Sequence, residues 1–136
     1  MKTIYDDQEL QEALASLIDE QTKQILRQKI ELLKEFLETF DLADLMFIVL
    51  VDPGDSLEAI RKELGFCPLT NQVDGARYPS LAYQPSFEHA VAHGTIFELV
   101  FCMSDSGLAD VVLVPDRIGV DQTLREFCRT YATPAS

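Results

Sequence analysis

Basic side chains are scarce in this chain of 136 residues. It contains 11 lysines and arginines against 23 aspartates and glutamates, which gives a formal net charge of -12 at pH 7. Proteins that bind nucleic acid directly normally carry a basic face that neutralises phosphates. The composition therefore argues against direct DNA or RNA binding. It leaves open an acidic mimic that occupies the basic groove of a nucleic-acid-binding protein.

Long apolar runs and targeting signals are also missing. No stretch of about 18 or more uncharged apolar residues is present to span a bilayer. The start, MKTIYDDQEL, places acids where a secretory signal needs an apolar core. Because 47% of the residues are hydrophobic, the chain suits one globular domain over residues 1–136. We expect a cytoplasmic protein that does not contact membranes.

The usual fingerprints of enzymes are absent from the sequence. It contains no Gly-x-Gly-x-x-Gly motif, no P-loop and no Gly-x-Ser-x-Gly motif. The three cysteines, Cys67, Cys102 and Cys128, stand among apolar neighbours, which is typical of buried reduced thiols rather than of nucleophiles. The sequence therefore predicts no cofactor, and it favours a protein that is not an enzyme without deciding the question.

The only two histidines, His89 and His93, lie in the stretch PSFEHAVAHG. The pattern predicts a short helix that Gly94 ends, and a spacing of four then places both rings on one face. Such a pair holds Zn²⁺ if a third ligand converges, but no Cys-x-x-Cys or acidic cluster supplies one. Ala90 also stands where the zinc-protease motif requires glutamate. We therefore predict structural histidines and no metal site.

Apolar periodicity divides the chain into helices and strands. Helical spacing predicts an N-terminal helical region over about 7–41, interrupted by a polar stretch over 19–24. Runs of branched apolar residues predict strands near 45–51, 96–103 and 108–114, of which the last two form an antiparallel hairpin. The sequence predicts an α+β fold in which a small mixed or antiparallel sheet packs with N-terminal, middle and C-terminal helices.

Capping residues mark the ends of the predicted helices. Asp6 or Asp7 suits the start of the N-terminal helical region, and Asp121 suits the start of the last helix. Asp55 resembles the first residue of a capping box for the middle helix. Gly65 is placed to end that middle helix in a left-handed conformation.

The segment 67–85 shows no periodicity, and a structureless connection of this length is usually functional or disordered. It contains Arg77, Tyr78 and Tyr83, and arginine and tyrosine are residue types that concentrate binding energy at interfaces. We therefore predict a binding surface formed by these three residues. The alternative is an ordinary surface loop anchored by its tyrosines.

The sequence signals favour a small acidic binding or regulatory protein that acts through protein contacts, because core and surface patterns are present but a catalytic constellation is not. A small enzyme that uses the 67–85 loop with His89 or His93 is the second hypothesis, and the nucleic-acid mimic is the third. A convergent pocket containing a histidine would favour the enzyme. A one-sided acidic ridge would favour the mimic, and an exposed apolar patch would favour the interaction module.

We also predict a homodimer through the N-terminal helical region. A single helix over this region would be roughly 50 Å long, whereas a compact chain of this size is roughly 35 Å across. A helical hairpin broken near Glu20 is the competing arrangement. Light scattering coupled to size exclusion should give twice the 15.3 kDa chain mass. Leu33→Asp should weaken the dimer and so reduce the measured mass. A mass near that of one chain would contradict the dimer.

Overall fold

The structure is a computed structural model that describes six segments of the chain, residues 1–16, 19–39, 48–65, 68–69, 85–103 and 109–134. Within these segments the chain forms four helices and six strands. In chain order they are β1 (Lys2–Ile4), α1 (Asp7–Ala15), α2 (Glu20–Leu37), β2 (Ile48–Leu50), α3 (Leu57–Leu64), β3 (Pro85–His93), β4 (Ile96–Met103), β5 (Ala109–Pro115), α4 (Gln122–Tyr131) and β6 (Ala132–Pro134). The predicted α+β fold with N-terminal, middle and C-terminal helices is confirmed.

The six strands form one mixed sheet in the order β1-β2-β5-β4-β3-β6. β2 runs parallel to β5, and β3 runs parallel to β6, while the other neighbours are antiparallel. The predicted hairpin is confirmed, because β4 and β5 pair from Ile96 opposite Pro115 to Cys102 opposite Ala109. The sheet is larger than the small one predicted, because short strands at both edges carried no clear apolar pattern.

The stretch around the two histidines is a strand and not the predicted helix. Residues Pro85–His93 form β3, which pairs with β4 on one side and with β6 on the other. Gly94, with a φ of +67°, lies in the tight turn between β3 and β4 rather than at a helix end. Cross-strand pairing on both sides of β3 has therefore outweighed the low strand preference of its alanines and charged residues.

Helices cover the sheet on both faces. Alternation along β4 places Phe97, Leu99 and Phe101 in the core that the sheet forms with α3 and α4. Ile96 and Val100 belong to the opposite core, which the sheet forms with α1 and α2. The architecture therefore has three layers, with the central strands buried on both sides. Among the described residues, no helix is both long enough and apolar enough to cross a bilayer.

The N-terminal helical region consists of two helices with a break between Ser16 and Asp19. The Ser16 backbone is extended, and its hydroxyl donates to the carbonyl oxygen of Ala13 at 2.8 Å. The Asp19 carboxylate accepts from the Thr22 backbone N–H at 3.0 Å and from the Thr22 hydroxyl at 2.6 Å. The break falls close to Glu20, as the competing arrangement required, so the length argument for a dimer no longer applies.

Two predicted helix ends are wrong, Asp55 as the cap of the middle helix and Gly94 as the end of the helix around the histidines, and the others are confirmed. α3 begins after Ser56, whose Oγ accepts from the Ala59 N–H at 3.1 Å. The Asp55 carboxylate accepts from the Asp52 N–H at 2.8 Å instead, so it orders the turn before the helix. The confirmed caps are Asp6, Gly65 and Asp121.

Removal of the α4 cap should lower the free energy of unfolding. Asp121 Oδ1 accepts from the Leu124 N–H at 2.9 Å, and loss of such a cap costs about 1 kcal/mol. Asp121→Ala should show this loss in urea denaturation. The matched control is Gln122→Ala, which removes an exposed side chain from the next position and should change stability by less than about 0.5 kcal/mol. Equal losses in the two variants would contradict the capping role.

Candidate functional site

A cleft opens where the adjacent parallel strands β2 and β5 end. In sheets that contain parallel strands, ligands commonly bind beyond the carboxyl ends of those strands. The cleft has a volume of about 670 Å³, which is within the range of ligand pockets. Leu50, Ile96 and Leu113 form its apolar floor. The other residues that line it are Asp19, Thr22, Val51, Asp52, Pro53, Thr95, Pro115, Asp116 and Arg117.

Two loops beside the cleft are fastened to each other. The loop after β2 contributes Pro53 and Gly54, and the loop after β5 contributes Gly119. The Gly54 N–H donates to the Gly119 carbonyl oxygen at 2.8 Å. Gly119 has a φ of +99°, and a Cβ at this position would lie 3.0 Å from the Pro53 Cβ. Glycine is therefore required here by both backbone conformation and close approach, and the two loops form one fixed lip.

The carboxylates around the cleft are held by charged partners. Arg125 and Arg129 both donate to Asp116 Oδ1, at 3.2 Å and 2.7 Å. Burial by itself would raise the pKa of Asp116, but the two guanidinium groups outweigh it and hold the pKa below its ordinary value. The Met1 amino group donates to Asp52 Oδ2 at 2.9 Å. The rim is therefore a set of ion pairs in fixed positions.

An unusually exposed side chain lies next to the cleft. Ile118 is 93% exposed, and it follows Arg117, which lines the cleft. One exposed apolar residue on a surface needs no explanation by itself. Here it follows a residue that lines a cleft with an apolar floor, and an apolar area with a polar rim is typical of a contact site.

A buried ion cluster joins α2 to the β3–β4 hairpin. Glu98 in β4 is 4% exposed. The Lys29 ammonium group from α2 contacts its Oε2, and His93 Nε2 lies 2.8 Å from its Oε1. Burial by itself would raise the pKa of Glu98, but the hydrogen bonds and charges of Lys29 and His93 outweigh it, so the pKa lies below its ordinary value. Glu98 is therefore an ionised carboxylate at neutral pH.

The charge of Glu98 determines the hydrogen-bonding role of His93. An ionised carboxylate only accepts hydrogen bonds, so His93 Nε2 carries a hydrogen and donates it to Oε1. In the neutral imidazole, Nδ1 is then a hydrogen-bond acceptor. Within the part of the chain that the structure describes, no donor contacts Nδ1.

A second, smaller pocket of about 270 Å³ lies beside this cluster. Gln21 Oε1 accepts from the Thr95 N–H at 3.0 Å and from the Thr95 hydroxyl at 2.8 Å. These bonds dock the turn of the hairpin onto the start of α2. A Cβ on Gly94 would lie 2.5 Å from Gln21 Nε2, so the docking also requires glycine in the turn. The pocket is lined by Gln21, Gln24, Ile25, Gln28, His93 and Gly94.

The two histidines do not form a joint site. Four residues along a strand span about 13 Å, whereas the predicted helix would have placed the two rings one turn apart. His89 is exposed, and His93 is half-buried and paired with Glu98. Among the described residues, no group of three or more side chains is arranged to hold a metal ion. The predicted helix, which would have placed both rings on one face, is therefore wrong, and the prediction that the histidines hold no metal stays a prediction.

The described cysteines are poor nucleophiles. Burial raises the pKa of Cys128 to about 12, and the nearby Asp116 carboxylate adds to the shift. Burial and the neighbouring Glu88 raise the pKa of Cys102. Because the thiolate is the reactive form, both thiols are less reactive than a free cysteine at neutral pH.

The residues predicted from the loop lie outside the described segments. These are Arg77, Tyr78 and Tyr83, and the binding role of the loop stays a prediction. The sequence analysis did not identify the pairing of Glu98 with Lys29, because the two residues are separated by about half the length of the chain. No protein-family model, curated protein or solved structure matches the chain, so its function is argued from the geometry of the cleft and the pocket.

Neutralisation of Glu98 should destabilise the protein at neutral pH. Glu98→Gln leaves the Lys29 ammonium group beside an amide, and a half-removed buried ion pair costs on the order of 3 kcal/mol. Because the pKa of Glu98 is lower in the folded state, the ionised side chain contributes to the free energy of unfolding of the wild type. This contribution is fully present at pH values above the ordinary pKa of about 4.5. That stability is lost as the pH falls below this value through the folded-state pKa. Urea denaturation should therefore show that the wild type has the higher free energy of unfolding at neutral pH, and that this difference from Glu98→Gln becomes smaller in acid.

The matched control is Glu126→Gln on α4. Its carboxylate is exposed, and its partner among the described residues is Gln122, from which it accepts at 3.2 Å, so the substitution should have a small effect at every pH. A Glu98→Gln variant that is as stable as the control at neutral pH would contradict the account of the cluster.

Proposed function

We propose that the protein is a binding module that holds a segment of another protein in the cleft at the carboxyl ends of β2 and β5. The observation that carries this proposal is a cleft with an apolar floor next to the exposed Ile118. An apolar side chain that enters the cleft would pack against Leu50, Ile96 and Leu113 and be removed from water. Each Å² of apolar surface buried in this way stabilises the complex by about 25 cal/mol.

The apolar surface outside the cleft favours a protein segment over a small molecule. A small ligand would be contained by the cleft and would leave Ile118 in water. A protein segment long enough to cross the lip would cover this side chain as well. Because Gly54 and Gly119 fix the lip by a backbone hydrogen bond, the surface is formed before binding, and pre-organisation reduces the entropy that binding costs.

Charge favours a basic partner. The net charge of -12 attracts cationic surfaces over long range and increases their association rate. Asp19 and Asp52 line the cleft. Asp52 is paired with the Met1 amino group, but its side chain is 62% exposed, so a basic residue can approach it from solvent. The proposed segment therefore carries a basic residue next to an apolar one.

The two other hypotheses have less support. The small enzyme needs a reactive group beside a histidine, but His93 is held by Glu98, and the described thiols have raised pKa values. The mimic needs carboxylates that are free to replace phosphates, whereas Glu58 and Asp116 lie in ion pairs with arginines. A binding module requires neither feature.

The finer predictions belong to the same proposal. They are cytoplasmic localisation, a protein partner, a contribution from the 67–85 loop and a homodimer through the N-terminal helical region. Leu32 on α2 is 74% exposed, and it offers an apolar contact for the homodimer even though the helix is shorter than predicted.

Peptide selection tests the proposed contact. Peptides selected by the wild-type protein from a random displayed library should share a basic residue next to an apolar one. In isothermal titration calorimetry, Ile118→Asp should weaken their binding about tenfold, or about 1.4 kcal/mol. The reason is that the substitution places a charge where the segment crosses the lip.

Leu32→Asp provides the control, because it places the same charge at an exposed leucine that does not line the cleft. It should leave the affinity for the peptides unchanged, even though it would weaken the proposed homodimer. A library that yields no binder, or peptides that bind Ile118→Asp as tightly as wild type, would refute the proposal. A triple alanine variant at Arg77, Tyr78 and Tyr83, measured with the same peptides, determines whether the loop contributes.

A further inference from the structure

The pocket beside His93 contains little net charge. No carboxylate or ammonium group is among the described residues that line it, and the neighbouring Lys29 and Glu98 neutralise each other in direct contact. The residues that line it are three glutamines, one isoleucine, one histidine and one glycine. A charged ligand would lose its hydration there without gaining a free counter-charge, which is unfavourable. The electrostatics of the pocket therefore select for an uncharged ligand.

The pocket contains both hydrogen-bond donors and hydrogen-bond acceptors. His93 Nε2 donates to Glu98, and its Nδ1 accepts a hydrogen bond in the neutral imidazole or donates one in the imidazolium. Gln21 contributes its Nε2 as a donor, since its Oε1 is already occupied by Thr95. Gln24 and Gln28 are exposed on the same side of α2, and each side-chain amide both donates and accepts. A complementary ligand must therefore present donors and acceptors close together.

Hydroxyl groups meet this requirement, because each one donates and accepts. We infer that this pocket binds a small uncharged polyhydroxyl compound of about monosaccharide size, whose hydroxyl groups bond to His93 and the glutamines. The pocket volume of about 270 Å³ is sufficient for one such molecule. This site is separate from the cleft, and it does not depend on the proposed function.

NMR titration of the intact protein tests the inference. D-glucose, D-galactose and myo-inositol are the hydroxyl probes, and sodium acetate at constant ionic strength is the charged probe. At least one hydroxyl probe should produce saturable shifts in the backbone amides of Gln24, Gln28 and Gly94, with a Kd on the order of 1 mM. Acetate should produce none at this site. Shifts that stay linear with all three hydroxyl probes, or saturable binding of acetate alone, would overturn the inference.

Variants test whether the ligand binds in this pocket. The double variant Gln24→Ala with Gln28→Ala removes two exposed amides and keeps the ion cluster, so it should fold normally and raise the Kd roughly tenfold. Gln122→Ala on α4 and His89→Ala on β3 are matched controls outside the pocket, and they should leave the Kd unchanged. An unchanged Kd in the double variant would overturn the inference, as would an equal increase in the controls.

Discussion

The constraint on which the fold depends is that β2, β5 and β4 are apolar on both faces. Val49, Val112 and Leu99 are fully buried on one face, and Ile48 and Val111 are buried on the other. A sheet with two apolar faces must be covered on both, because exposure of either leaves a large hydrophobic surface in water. The placement of α1 and α2 against one face and of α3 and α4 against the other follows from this requirement. Glu98 in β4 and Asp110 in β5 are buried acids in these strands, and the charge of Glu98 is accommodated by Lys29 from the covering helix.

The central strands, the hairpin and the closing helix were predictable because periodicity and local caps agree there. Gly65 and Asp121 end and begin helices through backbone contacts within a few residues. β3 was not predictable in the same way, because Ser86, Ala90 and Gly94 suit a helix locally, and only pairing with β4 and β6 makes the segment a strand. The candidate sites depend on such long-range contacts. The sequence around each residue does not predict the pairing of Lys29 with Glu98 or the approach of Gly54 to Gly119.

The cleft and the pocket are adjacent, and the contact between Thr95 and Gln21 separates them. Thr95 lines the cleft, Gln21 lines the pocket, and the two residues are joined by the hydrogen bonds at 3.0 Å and 2.8 Å. The start of α2 is thus common to both sites, with Asp19 and Thr22 on the cleft side. Any rearrangement of this helix start would change the shape of both cavities together, which makes Gln21 the residue through which they are mechanically connected.

The two outermost strands limit how the sheet meets other chains. β1 and β6 are each three residues long, so they present few free backbone groups to a strand from another molecule. Pro134 in β6 also lacks an N–H to donate. Short edges and proline are common protections against edge-to-edge aggregation. Within the described part of the chain, a strand added to β1 or β6 would therefore form few backbone hydrogen bonds with it.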